Sequence, residues 1–176
     1  MTTVQRRVGL LAISMLALAG CRSGKGTAPA EVVQQFYTMR EAAGVFGAPT
    51  PEQRRALEPF IADTLARLLA AADSVRSADK QAAPSEKPRF TDGDMFSSLF
   101  EGTTSVVPQP PVGAGDTVLV PVKMTNDQQK PAVVWSDTAV VVRQRGEWRL
   151  LDLRFGGTWA FGLHGSLMRI LSPPYQ

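Results

Sequence analysis

Few side chains in this sequence could carry out chemistry. The 176 residues include a single histidine, His164, and a single cysteine, Cys21. One histidine cannot form a His-rich metal site, and one thiol can form neither an internal disulfide nor a thiolate site for zinc or iron–sulfur. Asp152 and His164 could act together as an acid–base pair, but only if the C-terminal tail folds back over this part of the chain. We therefore expect no metal ion and no other cofactor.

The N-terminal residues predict export. Arg6 and Arg7 lie near the start of the segment, an apolar run follows over residues 8–18, and the small residues Ala19 and Gly20 precede Cys21. This order is typical of a secretory signal peptide. The run is also shorter than the roughly 20 apolar residues that a transmembrane helix needs. Residues 1–20 are thus interpreted as a signal peptide.

The four residues L-A-G-C that end at Cys21 resemble the lipobox of bacterial lipoproteins. The resemblance implies cleavage between Gly20 and Cys21, diacylglycerol on the Cys21 sulfur, and an acyl chain such as palmitate on its new amine. Two or three such chains anchor firmly, because each buried CH₂ contributes about 0.8 kcal/mol. We expect a membrane-anchored lipoprotein of the bacterial cell envelope whose domain lies outside the cytoplasm. The alternative is an ordinary signal peptide or an uncleaved apolar tail, in either of which Cys21 is incidental.

The charge balance changes when the signal peptide is removed. The whole chain has 19 basic and 16 acidic residues, a net charge of +3. Residues 1–20 contain two arginines and no acid, which leaves 17 basic and 16 acidic residues, a net charge of +1. A nucleic-acid-binding protein needs a clustered basic face, so we expect no nucleic-acid partner. The expected partners are the membrane, through the acyl chains on Cys21, and an envelope protein or a small apolar ligand; the oligomeric state is left open.

Residues 21–28 are predicted to be a lipidated tether, residues 29–171 a single domain, and residues 172–176 a tail. Hydrophobic spacing predicts helices in the first half of the domain. One begins at Pro29, a second begins at the capping box Thr50–Gln53, and Pro59 ends the second near Leu57. A longer third helix follows. Its predicted apolar stripe has 4, 3, 4, 3 spacing and consists of Ile61, Leu65, Leu68, Ala72 and Val75.

The middle of the chain predicts irregular structure. Ser77–Arg89 is polar, contains two prolines and reads as a mobile loop. The aromatic segment Asp92–Phe100 is expected to form a short helical turn that closes over the core. Its two aspartates flank a glycine, but the spaced oxygen ligands and closing glutamate of a calcium loop are missing.

The second half changes to the alternating pattern of strands. Thr117–Met124 is predicted to be an edge strand or to contain a bulge, because Pro121 lacks a backbone donor. Val133–Arg143 and Trp148–Phe155 are predicted to form a hairpin around a tight turn at Arg145-Gly146. Strict alternation places Trp148, Leu150, Asp152 and Arg154 on one face. Thr104–Val107 is predicted to add a further strand, and Ser166–Leu171 to form a last short helix.

Helices followed by an antiparallel meander predict an α+β domain, with the N-terminal helices packed on a curved antiparallel sheet of about four strands. Three segments resemble the nuclear-transport-factor-2-like superfamily, and more narrowly its small bacterial lipoproteins of unknown function. They are P-A-E-V-V-Q-Q-F-Y (Pro29–Tyr37), D-G-D-M-F-S-S-L-F (Asp92–Phe100) and G-E-W-R-L-L-D-L-R-F-G-G (Gly146–Gly157). The resemblance implies a cystatin-like cone with an apolar pocket at its open end, between the first helix and the last strand. Its candidate lining residues are Tyr37, Trp135, Asp152, Arg154, Trp159 and His164.

The resemblance leaves three functions open, because this fold hosts many activities. The first is a non-catalytic, lipid-anchored envelope protein that binds a partner protein or a small apolar ligand. The second is a ketosteroid-isomerase-like or dehydratase-like enzyme in which Tyr37 resembles an oxyanion donor; the family's usual acid, however, is absent from Gly44–Thr50. The third is an inhibitor or immunity-type protein with an exposed apolar patch, docking at Ser77–Arg89 or Pro108–Pro111.

Each candidate residue also has a simpler structural explanation. Tyr37 can be a core aromatic residue with a satisfied hydroxyl, and His164 can be a surface residue in a glycine-rich tail. Asp152 and Arg154 can be a same-face pair on a strand. The tryptophans can be packing residues rather than a ligand platform. We therefore expect no catalytic residue and favour the non-catalytic function.

Overall fold

The computed structural model describes residues 27–175. The predicted signal peptide, the predicted cleavage site at Gly20–Cys21 and most of the predicted tether lie outside the described residues. Within the described range, none of the helices is both long enough and apolar enough to cross a bilayer. The elements in chain order are α1 (Pro29–Ala42), α2 (Pro51–Leu57), a 3₁₀ turn (Glu58–Phe60), α3 (Asp63–Ala82), β1 (Ser105–Pro108), β2 (Thr117–Asn126), β3 (Val133–Gln144), β4 (Glu147–Arg154) and α4 (Leu167–Ile170).

The four strands form one antiparallel sheet in the order β1-β2-β3-β4, which confirms the predicted α+β class. Helices α1 and α3 contact the sheet. Alternate residues of β2 face this core, as its burial pattern shows. The largest fully buried side chains come from the helices, the sheet, the segment 95–99 and α4, so one core joins all layers.

The predicted starts of α1 and α2 are confirmed. Helix α1 begins at Pro29 and buries Val32 and Phe36. At the start of α2, the Gln53 backbone N–H donates to Thr50 Oγ1 at 3.3 Å, and the Thr50 backbone N–H donates to Gln53 Oε1 at 2.9 Å. This reciprocal pair is the predicted capping box, which satisfies two donors at the helix start. Helix α2 ends at Leu57, and Pro59 lies in the 3₁₀ turn that follows.

Helix α3 differs from the prediction in two ways. Its most buried residues are Leu65, Leu69 and Ala72, so the core face is rotated relative to a stripe through Leu68. The helix also continues to Ala82, so the predicted loop is wrong for residues 77–82.

A long-range contact stabilises this extension of α3. Asp79 accepts hydrogen bonds from the backbone N–H, Nε and Nη2 of Arg89, at 3.1, 2.8 and 2.7 Å. These bonds lower the pKa of Asp79 to about 2. The following chain therefore folds back onto the last turns of α3. No local pattern in the sequence signals such a contact.

The prediction that Pro121 marks an edge strand or a bulge is wrong, because β2 pairs in continuous register with strands on both sides. The pairing with β1 ends at Pro108, opposite Val122. Pro121 O accepts from Gln109 N at 2.8 Å, so the backbone nitrogen of Pro121 faces the same side. Its missing donor therefore falls just beyond β1, where it removes no bond from the ladder.

Strand β4 contains a bulge that strict alternation does not predict. The register shifts so that Val141 pairs with Leu150 and Val140 pairs with Asp152, which leaves Leu151 as the extra residue. A bulge of this kind changes which face the later residues occupy. Leu150 consequently faces the core, whereas Asp152 lies on the opposite face. The prediction that these two residues share a face is therefore wrong.

Candidate functional site

The buried polar residues of the molecule gather around the segment Phe90–Gly102. Asp94, Ser97 and Ser98 in this segment are at most 1 % exposed. The predicted helical turn over Asp92–Phe100 is wrong, because no helix forms here. Instead, the Phe96 backbone N–H donates to Asp94 Oδ1 at 2.8 Å, a side-chain turn that competes with helix formation. The segment still closes over the core, as expected, through buried apolar side chains at positions 95, 96 and 99.

Asp137 on β3 holds two loops against the sheet. Its carboxylate accepts hydrogen bonds from Ser98 N at 2.8 Å, Gly156 N at 2.8 Å and Trp135 Nε1 at 3.3 Å. The Ser98 hydroxyl also donates to it, and Ser98 Oγ in turn accepts from Gly157 N at 2.9 Å. We call these five residues the Asp137 cluster. Both carboxylate oxygens are in use, so the cluster organises loops rather than offering a free group to a ligand.

A buried ion pair lies on the other side of the same segment. Arg40 Nη2 on α1 is 2.9 Å from Asp94 Oδ1, and the Asp94 side chain is fully buried. Arg40 Nε and Asp94 Oδ2 have no hydrogen-bond partner among residues 27–175. Burial raises the pKa of Asp94, and the nearby Arg40 charge and the Phe96 N–H only partly oppose this effect. An incompletely hydrogen-bonded buried carboxylate opposes folding when it is ionised.

Tyr37 lies next to this ion pair and is buried. Its hydroxyl donates to the backbone oxygen of Phe96 at 2.8 Å. Burial raises the pKa of Tyr37 well above its usual range, and the negative Asp94 adds to the increase. The hydroxyl is therefore neutral and already bonded within the protein, which matches the structural explanation given for Tyr37 from the sequence.

The two candidate tryptophans, Trp135 and Trp159, form a row of ring contacts with Phe161 that leads from the core to the surface. We call this row the stack. Trp135 is buried, and its ring lies edge-on to Trp159 with a centroid distance of 5.4 Å. Trp159 then stacks on Phe161 at 6.4 Å with an interplanar angle of 22°. A Cβ at Gly157 would lie 2.4 Å from the Trp159 ring, so this close approach requires glycine. Phe161, at the outer end of the stack, is 65 % exposed.

The remaining candidates lie around β4 and the tail. The chain that follows β4 does fold back along this strand, since Phe155 N donates to Gly165 O at 3.0 Å. Asp152 Oδ1, however, accepts from Leu153 N and Met168 N, at 2.9 and 2.8 Å, and so holds the start of α4.

His164 and Arg154 do not join Asp152 in a pocket. His164 is exposed and lines a surface cleft with Arg169 and residues 172–174. Arg154 is exposed on β4. Among the described residues, no hydrogen bond therefore joins Asp152 to His164 as the predicted acid–base pair requires. Of the six candidate pocket residues, the structure brings Trp135 and Trp159 into contact and leaves Tyr37 and His164 in separate clefts.

Sequence reasoning missed the residues that organise this region, namely Asp137, Asp94, Ser98 and Phe161. An isolated aspartate in a strand has no local signature of its role. The glycines and aromatic residues of Gly156–Gly165 were the one available signal, because closely spaced glycines allow rings to pack against the backbone.

Within residues 27–175, no group of three or more acidic, histidine or cysteine side chains is placed to hold a metal ion. Comparison of the sequence with protein-family models finds no match, and neither does comparison with curated proteins. The resemblance to the nuclear-transport-factor-2-like superfamily thus stays a prediction.

Proposed function

We propose that this chain is a lipid-anchored, non-catalytic protein of the bacterial cell envelope that binds a partner protein through an aromatic surface. This surface consists of Phe100, Trp159 and Phe161. The single observation that supports it is the stack Trp135–Trp159–Phe161, which fixes a phenylalanine in an exposed position. The domain itself is proposed to be a nuclear-transport-factor-2-like cone, which the order of helices followed by four antiparallel strands supports.

The aromatic surface has the properties of an interaction site. Phe100 is 44 % exposed, and it lines a cavity of about 200 Å³ together with Leu163, which is two residues from Phe161. Exposed aromatic side chains keep apolar area in contact with water, which is unfavourable, and clusters of them mark interaction sites. Because Phe161 is held by stacking, little side-chain entropy is lost when a partner covers it. Rigid aromatic residues of this kind dominate binding energies at interfaces.

The positions of the candidate side chains do not favour the enzyme. That function needs a carboxylate base and a hydroxyl donor converging on one pocket. The Tyr37 hydroxyl is bonded to backbone, Asp152 holds α4, and His164 lines a different cleft. The inhibitor or immunity-type function requires an exposed apolar patch, which the aromatic surface would supply at a place other than the two loops named from the sequence.

Site-specific photocrosslinking in cells tests the proposal. A photoreactive phenylalanine analogue replaces Phe161 in the full, anchored chain, and the matched control carries it at Val112, which is 59 % exposed. We expect an adduct of one defined mass from position 161 that is absent from position 112. The adduct should also disappear when Trp159→Ala removes the support of the probe. Irradiation that yields no adduct at 161, or the same adducts at both positions, would contradict the proposal.

A further inference from the structure

A cleft of about 540 Å³ lies between the C-terminal half of α1 and the edge strand β1. Tyr37, Arg40, Val45 and Val106 line it together with more polar residues. Its volume falls within the range of about 300–1,000 Å³ that is usual for ligand sites. Neither Trp159 nor Phe161 lines it, so this cleft is separate from the stack that underlies the proposed function.

Uncharged polar side chains converge on this cleft. Among residues 27–175, none of these side chains forms a hydrogen bond with another described residue. Thr104 also lines the cleft, but its hydroxyl is bonded to Thr125 O and Asp127 N. The available side chains are Gln34, Thr38, Thr103, Ser105 and Gln128.

The charges of the cleft do not favour an ionic ligand. Among the described residues that line it, Arg40 is the one basic residue, and its guanidinium is already paired with the buried Asp94 at 2.9 Å. Glu41 is the one acidic residue of the same lining and lies on the exposed side of α1. With the arginine neutralised inside the protein, an anion gains little there and would meet Glu41. Amide and hydroxyl groups instead provide both donors and acceptors, which suit a neutral polyhydroxyl ligand.

An exposed aromatic ring stands at the same cleft. Phe46 is 54 % exposed and lies in the short loop between α1 and α2. The loop is held by Gly47, whose backbone N–H donates to Gly93 O at 3.0 Å. A Cβ at Gly47 would lie 2.7 Å from Phe90 O, so this backbone path requires glycine. Phe46 thus stays outside the core, as an apolar platform beside a polar cleft.

We propose that the α1–β1 cleft binds a neutral saccharide. A sugar ring presents hydroxyls at its edge and C–H groups on its faces. The hydroxyls would exchange hydrogen bonds with Thr38, Ser105 and the two glutamines, while one C–H face would pack on Phe46. An apolar ligand would leave these polar groups unsatisfied, which is unfavourable when they are covered. The cleft therefore fits a neutral sugar better than an apolar or an anionic molecule.

Saturation-transfer NMR tests this proposal on the full chain, purified from membranes in a detergent without a sugar headgroup. The probes are maltose, lactose and N,N′-diacetylchitobiose. We expect saturation transfer to at least one of them, with an affinity that falls about tenfold in Phe46→Ala, the effect of losing one aromatic contact. Thr38→Val should weaken the same sugar. Val112→Ala is the control, because it shortens an exposed apolar side chain (59 % exposed) that does not line the cleft, and it should leave the affinity unchanged.

Two results would overturn the proposal. One is the absence of saturation transfer from all three sugars while the wild-type chain is folded. The other is binding that Phe46→Ala and Thr38→Val leave unchanged, which would place the sugar elsewhere. Either result leaves the photocrosslinking at position 161 unaffected, so failure of the saccharide site and failure of the proposed function are distinguishable.

Discussion

The carboxyl group of Asp94 makes the stability of the fold depend on pH. Burial raises its pKa in the folded state, and Asp137 adds to this effect, whereas Arg40 and the Phe96 N–H oppose it. The folded chain therefore holds the Asp94 proton more tightly than the unfolded chain, whose aspartates titrate near 3.8. Since the unfolded state releases this proton first, stability falls as pH rises from about 3.8 through the folded pKa and is level above it.

Replacement of Asp94 by asparagine should remove this pH dependence. In urea unfolding from about pH 4 to about pH 7, the wild-type free energy of unfolding should decrease relative to that of Asp94→Asn as the pH rises. The variant also loses the ion pair with Arg40, so the test is the slope against pH and not the absolute stability. Asp116→Asn, at a carboxylate that is 84 % exposed, is the control and should keep the wild-type slope. Identical slopes for wild type and Asp94→Asn would show that Asp94 is not the titrating group.

At the scale of elements, two loops depend on one strand residue. The loop 94–100 and the loop that follows β4 both donate backbone N–H groups to Asp137, through Ser98 and Gly156. Phe161 belongs to the second loop, so the exposed aromatic ring is supported both by its stack and by this cluster. Loss of one acceptor oxygen at Asp137 should therefore loosen at least one of these two loops, which are distant in sequence.

The isosteric change Asp137→Asn tests this dependence. An asparagine places an NH₂ group where one carboxylate oxygen accepts bonds, so at least one of the N–H groups that donate to Asp137 loses its acceptor, at a cost of about 1–3 kcal/mol where that group is buried. Amide hydrogen exchange should become faster at Ser98 or Gly156, while the central residues of β3 stay protected. Asp152→Asn is the control, because the hydrogen bonds that Asp152 accepts come from Leu153 and from Met168 at the start of α4. Unchanged exchange at both amides would mean that the loops are held by other contacts.

The elements that sequence predicted are those whose ends have local causes. The capping box at Thr50 and the turn at Arg145-Gly146 involve neighbouring residues, so their chemistry is visible in a short window. The end of α3 is held instead by the contact of Asp79 with Arg89. The position of Pro121 in a strand that pairs on both sides is possible because β1 ends at Pro108. The same distinction applies to the site. Tyr37 was recognisable as a buried aromatic residue, whereas the role of Asp137 depends on partners 19 and 39 residues away.

At the scale of the whole molecule, the change from helical to alternating periodicity was enough to predict the α+β class. The same pattern could not predict which surfaces stay uncovered. Phe46, Phe100 and Phe161 are exposed because glycines and stacked rings hold their loops, and a hydrophobicity pattern alone reads such residues as core.

The predicted lipid attachment at Cys21 is tested by Cys21→Ser in the full chain. A serine cannot form the thioether to diacylglycerol, so we expect the variant to lose incorporation of labelled palmitate and to leave the membrane fraction. The described helices offer no membrane-spanning segment as a substitute. Each lost CH₂ removes about 0.8 kcal/mol of membrane affinity, so even one lost acyl chain should change retention greatly. Phe161→Ala is the control and should stay labelled and membrane-bound. Retention of Cys21→Ser in carbonate-washed membranes would show that another part of the chain provides the attachment.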